Sequence, residues 1–251
     1  MTIRRPLRFV LIVLAGLLLP ASLAQAQSSS CAGCHFANPT APEPYHLSAW
    51  ERSAHGRNNV GCETCHGGDA STYESFLAHR GILHSSNPAS PVHANNLPVT
   101  CGRCHAGPFV RFQNSQHFAL LKHGDTRGPT CTTCHDSVGS QVPSPRILEA
   151  NCQRCHGPKG VAPRVERAAA ARTLLEEVSD SREMLNAVRP LIERMRNKTR
   201  QAELREAYKQ AEVPLIEAGQ SVHEFVFDNL KERLATARQR IEKLLGALAN
   251  P

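Results

Sequence analysis

A chain of 251 residues with a formal charge of +7 has room for two domains, yet only 5% of its residues are aromatic and one is Trp. Its lysines and arginines are dispersed rather than gathered into a stripe, which excludes a nucleic-acid binder. All ten cysteines fall in pairs of one spacing, a regularity that chance does not produce.

Arg4, Arg5 and Arg8 precede an apolar stretch from Phe9 to Leu19, and Pro20 leads to Ala24-Gln25-Ala26. This order reads as a secretory signal with a small-residue cleavage site, so residues 1–26 are expected to be removed. The stretch falls short of the ~20 apolar residues that a membrane-crossing helix needs, and no later segment is more apolar. The protein is therefore expected to be periplasmic, where thiols are handled oxidatively, and not itself membrane-spanning. Loss of the three signal arginines lowers the formal charge from +7 to +4.

From Ser28 to Ala162 the chain is rich in Gly, Pro, Asn, Ser and His and carries five runs. They are Cys31-x-x-Cys34-His35, Cys62-x-x-Cys65-His66, Cys101-x-x-Cys104-His105, Cys131-x-x-Cys134-His135 and Cys152-x-x-Cys155-His156. Each has the spacing of a c-type haem attachment site, with two thiols for the porphyrin vinyl groups and an adjacent imidazole for the iron. A zinc ribbon, a redox dithiol or a disulfide framework explains one such pair. None of them requires a His after every second Cys. Five covalently bound haems c are expected, with porphyrin replacing side chains as the core of residues 27–162. Two propionates per haem against one positive charge per ferric core bring the mature holoprotein close to neutrality.

A repeat lies within this region. Trp50-x-x-Ser53-x-His55 precedes the second run and Phe112-x-x-Ser115-x-His117 precedes the fourth. Duplication of a two-haem unit, around residues 31–66 and 101–135 with a fifth haem at 152–156, is the simplest account.

From Val165 onward Ala, Leu, Glu and Arg dominate and Cys is absent. Ala171, Leu174, Val178, Ser181, Leu185, Val188, Ile192 and Met195 recur in steps of three and four, as do His223, Phe227, Leu230, Leu234, Ala237, Ile241, Leu244 and Leu248. That period predicts helices packed along narrow seams. Ser221 and Glu224 predict a capping box opening the last helix after Gly219 closes a short middle one. Pro190 and Pro214 predict a kink and an interruption. The expected fold is mainly α: a haem region with little regular structure, then a helical hairpin or three-helix tail over 163–251. That tail packs on the haem region or against a second subunit.

Thirteen histidines less the five in the runs leave His46, His55, His79, His84, His93, His117, His123 and His223 as distal ligand candidates. Met184 and Met195 lie in the tail, so bis-histidine ligation and low reduction potentials are expected. His55 and His117 lead through the repeat. His79 and His93 are drawn from the connection before the third run, and His223 from the seam. His46, His84 and His123 are held in reserve.

Trp50-Glu-Arg-Ser-Ala-His55-Gly-Arg-Asn-Asn-Val-Gly-Cys62-Glu-Thr-Cys65-His66 and the Gly219-x-x-x-His223 turn resemble the multihaem c-type cytochromes of the nitrite reductase and hydroxylamine oxidoreductase superfamily. The resemblance implies that His223 ligates a haem from the helical region. It carries no catalytic assignment over: the chain lacks a Cys-x-x-Cys-Lys run, and Tyr45, Tyr73 and Tyr208 offer no match to the cross-linked tyrosine of hydroxylamine oxidoreductases.

The reading is an electron carrier rather than an enzyme. Its partners would be other cytochromes, or a quinol-oxidising membrane protein and a terminal reductase, in anaerobic or nitrogen and sulfur respiration. The rival is a small reductase or oxidase of nitrogen or sulfur oxyanions with one open haem, drawing on Arg80, Arg103, Arg111 or Arg127.

Overall fold

A computed structural model describes residues 29–38, 44–125, 127–136 and 143–249. The expected signal, 1–26, lies outside the described residues. No strand occurs among the described residues, and the fold is mainly α.

The first part is a string of short helices: α1 Ser30–Ala37, α2 Pro44–Arg52, α3 Ala54–Arg57, α4 Glu63–His66, α5 Ser75–Ala78, α6 Leu97–Gly102, α7 Ala106–Gln113, α8 Gln116–Lys122, α9 Cys131–His135 and α10 Pro145–His156. Serines open three of them. Ser53, Ser115 and Ser144 accept the backbone N–H of Gly56, Phe118 and Ile147, which satisfies amide groups that a helix start leaves unpaired. Few large apolar side chains are buried here: Leu47, Trp50, Phe112 and Leu121. Tyr73, Phe76, Val110 and Val161 stand exposed, Phe76 at 84%. Side chains alone give this region no interior.

The second part is a three-helix bundle: α11 Val165–Glu193, α12 Lys198–Ser221 and α13 Phe227–Ala249, with every pair in contact. The predicted seams are what it buries. Leu185, Val188 and Ile192 of α11 meet Leu204, Tyr208, Ala211 and Leu215 of α12 and Ala237, Ile241 and Leu244 of α13. A second cluster joins Leu174 and Val178 to Ala218, Leu230 and Leu234. Fully burying one such aliphatic side chain contributes roughly 1.5–3 kcal/mol, so these seams outweigh the cost of the two internal prolines. Helix α11 accordingly runs through Pro190, and α12 is long and continuous through Pro214. Ala211 and Leu215, on either side of Pro214, are locked into the core.

The junction of the last two helices differs from its predicted form. Helix α12 continues past Gly219 to Ser221, a single 3-10 turn covers Val222–Glu224, and α13 opens at Phe227. The Ser221 hydroxyl donates back to the Ala218 carbonyl at 2.9 Å instead of capping. Glu224 turns away to an arginine of the first region. A stronger, buried partner takes the carboxylate that a capping box would have used.

Candidate functional site

Each of the five run histidines faces a second imidazole. His35 lies opposite His79 with ring centroids 6.0 Å apart, His66 opposite His46 at 6.1 Å, and His105 opposite His55 at 6.0 Å. His135 lies opposite His223 at 6.1 Å and His156 opposite His117 at 6.0 Å. The spacing hardly changes while the interplanar angle runs from 18° to 81°. Rings packed directly on one another behave otherwise: Phe225 approaches His117 to 4.4 Å edge-on, and the phenylalanine pairs range from 5.7 to 6.4 Å. Metal–imidazole bonds of about 2 Å on each side, added to the ring radii, separate the centroids by about 6 Å whatever the torsion about the bond axis. Constant spacing at varied rotation leaves each pair of rings room for a metal ion between them.

The second nitrogens fit the same purpose. His79 Nδ1 donates to the Ser75 carbonyl at 2.7 Å, His156 Nδ1 to Ala162 at 2.7 Å and His223 Nδ1 to Gln220 at 3.1 Å. A carbonyl only accepts, so the proton sits on Nδ1 and the Nε2 lone pair is free for a metal. His117 Nδ1 is buried and meets no partner among the described residues. Burial first, and then the facing ring, hold the pKa of His55, His66 and His117 below the ordinary imidazole value. His135 is lowered by burial and then by His105. For His223 burial outweighs the raising effect of the Gln220 hydrogen bond, and His135, Arg182 and His105 lower it further. Each is kept in the neutral form that can ligate.

The remaining histidines face no ring among the described residues. His84 Nδ1 accepts the Ser86 N–H at 3.2 Å and His93 Nδ1 accepts the Asn95 N–H at 3.3 Å, which leaves the proton on Nε2 in both. His123 Nδ1 donates to Ala119 at 2.6 Å on an exposed turn. Of the distal candidates, His55, His79, His117 and His223 thus lie opposite run histidines and His93 does not. The fifth facing ring is His46, one of the reserves. It sits one helical turn before the buried Trp50 on α2, which anchors it.

The repeat has a common geometry. Trp50 and Phe112 are each 8% exposed, Ser53 and Ser115 are buried caps, and His55 and His117 occupy the second position of the helix they open. The facing pairs cut across the two-haem units drawn from the sequence. His55 skips the second run to face His105, and His117 skips the fourth to face His156.

The runs are neighbours in chain order. Cys62 lies within the electrostatic reach of Cys31, and Cys65 within that of Cys101 and Cys104. Cys101 and Cys131 share a thiol hydrogen bond that raises the first and lowers the second. Cys134 is pushed up to about 11 by burial and then by Cys152 and Cys155. No two of the ten cysteines are bonded to each other in this structure. No cluster of three or more His, Cys, Asp or Glu with metal-site geometry occurs among the described residues, as a zinc ribbon would require. Paired thiols beside facing imidazoles, in a region without an apolar interior, fit haem c.

Residues 86–157 match the family described as cytochrome c7 and related cytochrome c, and residues 19–67 match that of cytochrome c554 and c-prime. The chain is a multihaem c-type cytochrome. It is similar to the C-type polyheme cytochrome OmcC of Geobacter sulfurreducens, 27% identical over 129 residues. That match takes in 48% of this chain and 16% of the relative's length. No solved structure matches. Multihaem c-type cytochromes carry electrons, to other cytochromes or proteins, outside the cytoplasm. Among the described residues no helix is long and apolar enough to cross a membrane.

The arginines considered for substrate binding have other engagements. Arg127 forks onto Asp125 at 2.6 Å, and Arg80 and Arg103 lie near Asp69 and Cys65. Arg111 Nη1 reaches Glu224 at 2.6 Å, a pair that no local pattern could reveal across 113 residues. Burial opposes the Glu224 charge, but hydrogen bonds from Asn229 and Arg111 and the charges of Arg111 and Arg233 outweigh it, and the carboxylate stays below its ordinary pKa.

Proposed function

We propose that this cytochrome is a periplasmic pentahaem electron carrier in which every iron is held by two imidazoles. When bound, haem supplies an iron that takes up and releases one electron. Cys31 and Cys34, Cys62 and Cys65, Cys101 and Cys104, Cys131 and Cys134, and Cys152 and Cys155 would tether the five groups. His35 with His79, His66 with His46, His105 with His55, His135 with His223, and His156 with His117 would ligate them. The observation that carries this reading is the 6.0–6.1 Å spacing of all five ring pairs.

The facing ring at every run histidine supports closed sites. That favours the carrier over an oxyanion reductase with an open haem. Two imidazoles, with no Met/His pair, keep the potentials low, and attachment runs that adjoin in chain order set a path from the first site to the fifth. Donor and acceptor are then other cytochromes, or a quinol-oxidising membrane protein and a terminal reductase, in nitrogen or sulfur respiration. A ligand delivered from the helical tail supports kinship with the nitrite reductase and hydroxylamine oxidoreductase superfamily.

Two measurements on the exported protein test this. Intact mass is expected to show five haem additions and the loss of residues 1–26. Low-temperature paramagnetic resonance of the oxidised protein is expected to show low-spin iron only. One stoichiometric high-spin iron would refute the closed-site reading.

A further inference from the structure

Three consecutive residues between α12 and α13 each reach a different partner. His223 faces His135 at 6.1 Å. Glu224, 6% exposed, receives Arg111 Nη1 at 2.6 Å on Oε1 and Asn229 Nδ2 at 3.1 Å on Oε2. Phe225 lays its ring edge-on against His117 at 4.4 Å and against Phe112 at 6.4 Å. It does so from a left-handed backbone, φ 56°, which a bulky residue adopts only at a cost. The turn is thus held in a disfavoured conformation by what its side chains grip.

Arg111 lies on α7 and Glu224 on the turn that α7 packs against. A second ion pair, Arg172 on α11 with Glu149 on α10 at 3.2 Å, also joins the two regions, but its arginine is 42% exposed. Such an exposed pair contributes little. Arg111–Glu224 is the more buried, and breaking a buried pair leaves an uncompensated charge. It also adjoins the one facing imidazole that the tail delivers.

We propose that Arg111 and Glu224 are positioning residues that hold His223 opposite His135 and keep the iron of that site closed to outside ligands. This rests on the ligand assignment above. The bundle core fixes α12 and α13, the ion pair fixes the turn between them against α7, and the Gln220 carbonyl fixes the rotation of the imidazole. With the pair gone, the turn keeps its strained residue and loses its strongest anchor, so His223 swings free while the helices stay folded.

The test uses holoprotein carrying His223→Ala, Glu224→Gln, Arg111→Met, Arg111→Lys or, as the control, Arg172→Met. Readouts are the high-spin ferric signal, carbon monoxide uptake per reduced protein, and helical circular dichroism. His223→Ala is expected to open one iron in five. Glu224→Gln and Arg111→Met are expected to raise the open population of that same iron roughly tenfold to a hundredfold, with helicity unchanged. Arg111→Lys keeps the charge and retains most of the closed state, and Arg172→Met leaves it untouched. Glu224→Gln is isosteric and keeps the packing, so it reports even where Arg111→Met matures poorly. If His223→Ala opens an iron while Glu224→Gln behaves as wild type with no carbon monoxide uptake, the positioning role is overturned. If His223→Ala leaves every iron low-spin, it is the ligand assignment that fails.

Discussion

Gly56 comes directly after His55 in α3, where the helix passes close over the end of α2. A methyl built on it overlaps the Trp50 carbonyl oxygen and sits 3.1 Å from the Glu51 carbonyl oxygen and 3.2 Å from Glu51 Cα. All three neighbours are backbone, so no side-chain rotation relieves them, and α3 must retreat by about 1 Å to reach an ordinary contact of 3.4 Å. Overpacking of this kind costs roughly 1–3 kcal/mol, and a rigid backbone obstacle puts it near the upper figure. Alanine returns about 1 kcal/mol of helix propensity over glycine. The net loss is about 2 kcal/mol, roughly 30-fold, and it falls on the seating of His55 opposite His105. Gly33, in α1 between Cys31 and Cys34, meets nothing within 4 Å, so Gly33→Ala is expected to gain about 0.5–1 kcal/mol. Gly56→Ala holoprotein should show one partly high-spin iron and a lowered melting temperature, and Gly33→Ala neither. Equal melting temperatures and uniformly low-spin iron in both would refute the claim that this close approach seats the ligand.

Ser115→Ala removes a hydroxyl that accepts the Phe118 N–H at 3.0 Å and donates to the Phe112 carbonyl at 2.6 Å. It is expected to cost about 1–2 kcal/mol, seen as an earlier denaturant midpoint with loosened ligation at the His117 site alone. Leu204→Ala, at a side chain 1% exposed, should cost about 2–5 kcal/mol. That loss should appear in the far-ultraviolet melt of the bundle, and an unchanged melt would contradict the two-cluster core. Acid should open the sites. Burial and the facing rings depress His55, His66 and His117, as burial and His105 depress His135, so below about pH 6.5 the unfolded chain binds more protons than the native one. Stability and ligation are then constant above that pH and are lost as pH falls through the depressed native values. Soret and paramagnetic titration from pH 8 to 4 should show high-spin iron growing only on the acid side, and growth towards alkaline pH would contradict the assignment.

How far the sequence could be read depends on the range of each interaction. The seams of α11 and α13 were legible because burial repeats every turn, and Leu174 to Ile192 and Leu230 to Leu244 are the buried residues. The attachment runs were legible because the chemistry needs five adjacent positions. Ring partners were only half legible. A local motif singled out His55 and His117, but nothing local says that each skips the next run. His46 carries no motif and is placed by the Trp50 anchor, whereas His93 looked equivalent until its Nδ1 was seen taking the Asn95 N–H. The Ser221–Glu224 capping box failed for the same reason in reverse. A local rule was overridden by Arg111, 113 residues away.

The two regions solve one problem by different means, and the junction shows why they are joined. The bundle has side chains enough to make its own interior. The first region has few, and its five ring pairs join segments between 20 and 88 residues apart without the rings touching. Closing such loops costs entropy, and on the proposed ligation the group that bridges each pair repays it, as binding couples to folding in other metal sites. Four of the five pairs are completed within that region. The fourth run is the exception: His123, the nearest spare histidine before it, stays on an exposed turn with its Nδ1 spent on Ala119. The ring that faces His135 comes instead from the turn between two bundle helices, which Arg111 of α7 anchors. On the proposed ligation the tail is a ligand donor whose helices, unlike the loops around the other pairs, carry a side-chain core of their own.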